Sequence, residues 1–148
     1  MAYTLLRHRD IPDIKKLDVY LDNGGYDGLK KALSMSPEDA TAIVRAANLR
    51  GRGGAGFPAG IKWGFIPKTP GPKYIIINTD ESETGTFKDR ELVEGNPHQV
   101  IEGALIAAYS VGAQVIFNYF RGEFMDAAYA FEDAIKECYA NGLLGENI

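Results

Sequence analysis

Pro70-Gly71-Pro72-Lys73-Tyr74-Ile75-Ile76-Ile77-Asn78-Thr79-Asp80-Glu81-Ser82-Glu83 is the stretch on which the fold turns. Proline and glycine end whatever precedes it, and a short, continuous, β-rich apolar run follows at Tyr74–Ile77. A run of that kind lacks the alternation of a half-exposed strand. It predicts a strand over Lys73 to Asn78 buried on both faces, as in a parallel sheet. A parallel partner needs a crossover, and the following residues supply one. Asn96-Pro97-His98-Gln99 starts a helix, with a capping side chain and a proline in the first turn. Val100, Ile101, Ala104, Leu105 and Ala108 give that helix its buried face, and Gly112 ends it. Val115-Ile116-Phe117-Asn118-Tyr119 reads as the second strand. Phe124, Ala128, Phe131, Ile135 and Cys138 line a last amphipathic helix that closes near Gly142. Strand, helix, strand, helix implies right-handed βαβ crossovers and an α/β fold.

Upstream, residues 1–23 are polar and mixed, punctuated by Pro12 and Asn23-Gly24-Gly25, and predict a lead-in arm to a domain over 24–148. Tyr26 to Met35 predicts a short helix with Leu29 and Leu33 on one face. Ser36-Pro37-Glu38-Asp39 marks the start of another, with Ser36 as cap and Asp39 as its reciprocal acid. Ala40, Ile43, Val44 and Ala47 form its apolar stripe, and glycines break it between Arg50 and Gly60. Two strands make a small sheet. Leu143 to Ile148 ends on no structural full stop, so the chain reads as part of something larger.

Composition bounds the rest. In 148 residues, 45% are apolar and 24% charged, enough to bury one core and contrary to disorder. A net charge of -4 leaves no footprint for nucleic acid. No window approaches the roughly 18 apolar residues of a membrane span. The one cysteine, Cys138, excludes an internal disulfide and cannot alone hold zinc or an iron–sulfur cluster, so no metal site is predicted. The N-terminus has neither a signal-peptide core nor the Arg- and Ser-rich, acid-poor character of a transit peptide. These features predict a soluble domain of a reducing compartment.

Glycine is the compositional exception, and it is concentrated. Gly51-Arg52-Gly53-Gly54-Ala55-Gly56 satisfies the dinucleotide pattern G-x-G-x-x-G, yet it follows a predicted helix where that fingerprint requires a strand. A Walker loop fails as well, since Phe57 stands where lysine is needed. What remains is a backbone whose N–H groups can approach an anion or a flat ring, with Arg50, Arg52 and Lys62 adding positive charge. The plainer reading is a flexible surface loop. Asn78-Thr79-Asp80-Glu81-Ser82-Glu83 sits at the carboxyl end of the predicted strand, where open α/β sheets bind ligands. Its carboxylates would repel a bare phosphate but accept hydrogen bonds from ribityl or ribose hydroxyls, or ligate a hard cation. A solvated acidic loop is the alternative. Phe57, Trp63 and Phe65 surround the glycines and offer faces for stacking, although core packing is the commoner fate and is expected for Trp63. His98 is expected to be structural. No Ser/His/Asp or Cys/His constellation is visible, which speaks against covalent hydrolysis.

Taken together, Leu49-Arg50-Gly51-Arg52-Gly53-Gly54-Ala55-Gly56-Phe57-Pro58 with Gly60-Ile61-Lys62-Trp63 resembles the flavin signature of a family of respiratory complex I, its NADH-dehydrogenase flavoprotein subunits. Asn78 through Arg90 is similar to that family's second signature, and Pro97-His98 and Arg121-Gly122-Glu123-Phe124 match two shorter segments. The likeness runs in order from about Gly24 onward. It implies a Rossmann-like FMN-binding domain, preceded by short helices, in which the glycine-rich loop replaces the usual fingerprint. It further implies that Gly51, Gly53, Gly54 and Lys62 hold the FMN phosphate side and Asn78, Asp80 and Glu81 its polar groups, with Arg52, Ala55 and Gly56 also among the cofactor-binding residues. Glu83 would lie near the nicotinamide, making Glu81 and Glu83 the candidate catalytic residues, while Phe57 and Phe65 would stack on the adenine of NADH. The implied reaction is hydride transfer from NAD(H) to FMN, then electrons onward to iron–sulfur clusters and quinone.

The family works within a membrane-attached complex. The resemblance implies partners among the other complex I subunits, especially the 2Fe–2S subunit and the large iron–sulfur subunit. It places them at the cytoplasmic side of the bacterial inner membrane, with no insertion into it. Three positions depart from the pattern: Thr79 where alanine is usual, Thr84 for proline and Ala59 for threonine. The chain is also about a third of the usual length. It lacks the downstream Gly-Glu-Glu-Thr segment and the cysteine-rich segment that binds a 4Fe–4S cluster in the full-length family member. Diaphorase subunits of NAD-linked hydrogenases and formate dehydrogenases share these motifs. A truncated, non-catalytic docking module is the alternative from another class, and nucleotide hydrolysis by the glycine loop is a third.

Overall fold

The computed structural model describes residues 4–6 and 8–146. Among them the order is α1 (Leu17–Asp22), α2 (Asp27–Leu33), α3 (Pro37–Ala46), α4 (Ala59–Trp63), β1 (Tyr74–Thr79), α5 (Lys88–Gly95), α6 (Pro97–Val111), β2 (Val115–Phe120) and α7 (Met125–Ala140). The chain divides into two compact units: described residues within 1–26, 77–102 and 118–148, and residues 27–76 with 103–117. β1, β2 and α6 each contribute residues to both.

β1 and β2 pair as a parallel two-stranded sheet whose connection runs through α5 and α6, as the βαβ reading predicts. The prediction that the first strand is buried on both faces is corrected. Burial alternates along β1, with Tyr74 57% and Ile76 68% exposed. β2 alternates in the same way, exposing Val115, Phe117 and Tyr119. A continuous apolar run reports the character of both faces but not how many are covered, and here one is.

In the first unit, Val93, Ile101, Ala127, Phe131, Ala134 and Cys138 form a core with α5 packed on α7. Residues 1–23, predicted as an arm, contribute α1 and the buried side chains of Ile14, Leu17 and Tyr20; residues 1–3 and 7 of that stretch lie outside the described residues. Lys16 gives α1 no side-chain cap, so the Glu137 carboxylate of α7 takes the orphan N–H of Leu17 at 2.8 Å. The predicted ends of α6 and α7 fall at glycines with positive φ, Gly112 at 71° and Gly142 at 67°.

In the second unit, Ser36 caps α3 as predicted, accepting from Asp39 N at 3.1 Å, while its hydroxyl donates to the Asp39 carboxylate at 2.7 Å. The apolar stripes are narrower than predicted: Leu29, Ala32 and Ala40 are buried, but Leu33 and Ile43 are exposed. α4, which no sequence pattern announces, packs against α3 because Gly60 has no side chain. A Cβ there would lie 2.5 Å from the Arg45 backbone nitrogen.

Candidate functional site: a tied glycine loop and an acidic strand end

The glycine segment is a loop closed at its base. Gly51 N donates to Phe57 O at 3.0 Å, Ala59 N to Leu49 O at 2.7 Å, and Arg50 pairs with Pro58 in an antiparallel bridge. The Arg50 guanidinium also donates to Gly56 O at 3.2 Å. With the ends tied, residues 52–56 bulge outward. Gly54 (φ 145°) and Gly56 (φ 65°) occupy backbone regions that favour glycine. A Cβ on Gly53, Gly54 or Gly56 would meet nothing within 4 Å, so the space over the loop is open. Among the described residues, the backbone N–H groups of 52–56 donate to no protein acceptor. Exposed polypeptide N–H groups clustered in a tied loop are of the kind that can cradle an anion. Arg52 and Lys62 are exposed cations of the same unit. Phe57 and Phe65 lie 5.9 Å apart between ring centroids and are 48% and 68% exposed. These features fit the phosphate of a flavin mononucleotide and a planar ring beside it.

The acidic segment belongs to the first unit. At the carboxyl end of β1, Asn78, Asp80, Ser82 and Glu83 are exposed, and Asn78 Oδ1 accepts from Asp80 N at 3.0 Å. Glu81 differs. Its side chain is 1% exposed and accepts from Asp89 N at 2.9 Å and Arg90 N at 3.3 Å, with Lys88 Nζ at 3.7 Å. It therefore caps α5, whose own N-cap residue, Phe87, offers no acceptor. α5 itself starts at Lys88, inside the stretch that resembles the family's second signature. No local signal announces it, because the capping acid stands seven positions before the first helical residue. Of the segment's three carboxylates, those of Asp80 and Glu83 are exposed and chemically able to accept from hydroxyls, whereas that of Glu81, expected among the acceptors, is committed to α5.

His98 and Cys138 are structural, as predicted, and they meet in the first unit. The Tyr26 hydroxyl lies 3.1 Å from both His98 Nδ1 and Cys138 Sγ, and His98 Nε2 lies 3.0 Å from Glu137 Oε2. Desolvation pushes the His98 pKa down, against the opposing pull of Glu137, so the ring is neutral at pH 7. A neutral ring that donates from Nε2 to Glu137 accepts the Tyr26 proton at Nδ1, and all three groups are satisfied. Burial raises the Cys138 thiol above its ordinary value, which leaves it unreactive.

A cavity of about 500 Å³ in the second unit is lined by Arg45, Trp63, Lys68, Lys73, Tyr109 and Ser110, among others. None of the sequence-predicted binding residues lines it. Trp63, expected in a core, is half-buried at its wall. The predicted binding residues sit elsewhere, on the open loop and the acidic strand end.

Known proteins resemble this chain over most of its length. It is 50% identical over 97% of its length to the F subunit of NADH-quinone oxidoreductase from Aquifex aeolicus, covering 34% of that protein. It is 50% identical over 97% of its length to the second F subunit of Rhizobium meliloti, covering 35%, and 52% identical over 89% to the F subunit of Streptomyces coelicolor, covering 30%. The chain thus spans about a third of the length of the curated relatives it matches. Among solved structures, an NAD+-reducing NiFe hydrogenase in the air-oxidised state superposes with a TM-score of 0.70 at 30% identity, over 95% of this chain and 23% of that one. Residues 44–147 match the family described as the Nuo51 FMN-binding domain, and the chain belongs to that family.

Proposed function

We propose that this chain is the FMN-holding part of an NADH-oxidising flavoprotein subunit of the complex I type. The observation that carries this reading is the tied loop over 52–56, with unpaired N–H groups and open space beside its glycines, in a member of a flavin-binding family. Arg52, Gly53, Gly54, Ala55 and Gly56, with Lys62, would take the phosphate, since backbone dipoles and cations both favour its charge, while Gly51, whose N–H is held by Phe57 O, would close the base of the cradle. Asn78 and Asp80 would accept from the ribityl hydroxyls. Glu81 would act through its backbone, because its carboxylate is committed to α5. Glu83 would lie toward the nicotinamide, and Phe57 and Phe65 would stack on the adenine of NADH. FMN, when bound, supplies the exchange between hydride and single-electron chemistry. The chain's own share is placement and electrostatics: Asp80 and Glu83 disfavour added negative charge nearby, and hence the extra phosphate of NADPH.

The relatives' names make them subunits of a complex, which supports a multisubunit setting for this chain too. Within it, the proposed neighbours are the 2Fe–2S subunit and the large iron–sulfur subunit, and the proposed location is peripheral, at the cytoplasmic face of the bacterial inner membrane. No described helix is long and apolar enough to cross a membrane. The likeness to an NAD+-reducing hydrogenase supports a second reading, a diaphorase subunit of such an enzyme. The first reading predicts that FMN-loaded protein is bleached by NADH and far less by NADPH. Protein that takes up FMN yet is not bleached by NADH would contradict the NADH-oxidising role.

A further inference from the structure

The acidic segment is fastened by a group with no role so far. Arg121, just after β2, donates from Nη1 to the carbonyl oxygen of Glu81 at 3.2 Å and from Nε to Glu123 Oε2 at 2.9 Å. One planar guanidinium therefore holds the Glu81 carbonyl while Glu123 holds the guanidinium. Glu123 above all, and Asp80 to a smaller degree, keep Arg121 above its ordinary pKa, so it stays charged. The Glu81 side chain is anchored separately in the N-terminus of α5, and Asn78 holds Asp80 N. Carbonyl, side chain and preceding amide are all bonded, so the backbone around Glu81 is held at three points, and Asp80, Ser82 and Glu83 are exposed beside it.

We propose that Arg121 is a positioning residue of the flavin site. It fixes the peptide after Glu81 so that Asp80 and Glu83 hold their places, and its positive charge offsets theirs toward a reduced, anionic flavin. This rests on the reading that residues 78–83 face FMN. Lysine at 121 keeps the charge but replaces the rigid planar fork with a single ammonium on a flexible stem, whereas methionine loses both charge and donors.

The test compares the wild-type chain with Arg121→Lys and Arg121→Met in two measurements. Hydrogen exchange without flavin reads the amides of Asp80, Asp89 and Arg90, which the fastened segment protects. FMN titration and the potential of bound FMN read the consequence. Arg121→Met should speed exchange at those amides about tenfold or more, with α7 unaffected, and weaken FMN by a similar factor. It should also move the flavin potential to more negative values, while Arg121→Lys restores the potential but not the affinity. Wild-type affinity and potential in both variants would overturn the proposal and leave the FMN reading intact. A wild-type chain that fails to bind FMN would instead overturn that reading, and the flavin role of Arg121 with it. If Arg121→Met unfolds, Arg121→Lys decides alone: wild-type exchange and affinity in that variant overturn the forked clamp.

Discussion

At the scale of single residues, the loop over 52–56 depends on backbone that side chains would close. Gly54, at φ 145° with open space beside it, is the sharpest case. Gly54→Val would strain the loop and place a branched side chain over its N–H groups. The loop is exposed and contributes little to either core, so the effect falls on binding and not on folding. FMN affinity should drop at least about tenfold, with the thermal midpoint within a few degrees of wild type. Fluorescence titration beside a melting curve checks both halves. A valine variant that binds FMN normally would remove the cradle role. Gly60 makes the contrast: its missing Cβ serves the packing of α4 on α3, so the same type of residue is structural there.

At the scale of elements, short helices survive by borrowing caps from distant parts of the chain. α5, with the charged sequence Lys-Asp-Arg-Glu-Leu-Val-Glu-Gly, rests on the Glu81 carboxylate, and α1 on that of Glu137. Glu81→Ala should cost about 0.5–2 kcal/mol, the usual range for a lost N-cap, in urea denaturation. Glu83→Gln, which touches no helix end, should leave the urea midpoint unchanged. Equal midpoints for Glu81→Ala and wild type would contradict the capping role. The same fact explains which elements are legible in the sequence. β1 follows Pro70-Gly71-Pro72 and is written in isoleucines; α3 carries its own cap at Ser36; α6 and α7 end at glycines. Each of those signals is local. α1 and α5 carry no such signal, because their caps arrive from elsewhere in the chain, α1's from 120 positions away. Among the proposed binding groups, glycine spacing marks the loop, and strand-end position marks Asp80 and Glu83. That Glu81 turns inward, and that Arg121 holds its carbonyl, depends on tertiary contacts that no spacing encodes.

At the scale of the whole molecule, two properties follow from how residues are distributed. The first is a polar knot in the unit of residues 1–26, 77–102 and 118–148, where buried Tyr26, His98 and Cys138 and the partly exposed Glu137 tie three stretches of chain. Burial lowers the His98 pKa in the folded state, so the unfolded chain binds its proton more readily. Stability from this group is therefore full above the unfolded value of about 6.5 and is lost as pH falls from there through the lower folded value. Urea midpoints should decline below about pH 6.5, and His98→Gln should flatten that part of the profile. An identical slope in the variant would assign the acid sensitivity to other groups. The second property is the separation of the proposed binding groups from the cores: Arg52, Phe57, Lys62, Phe65, Asp80 and Glu83 are all exposed, while the side chains of Glu81 and His98 are buried in structural contacts. The central claim, that the loop over 52–56 holds a flavin phosphate, is tested most directly by titrating the protein with FMN and, in parallel, with riboflavin, which differs only in lacking that phosphate. Saturable quenching by FMN, at least about tenfold tighter than by riboflavin, is the predicted result. Equal affinities, or no saturable quenching by FMN, would contradict it.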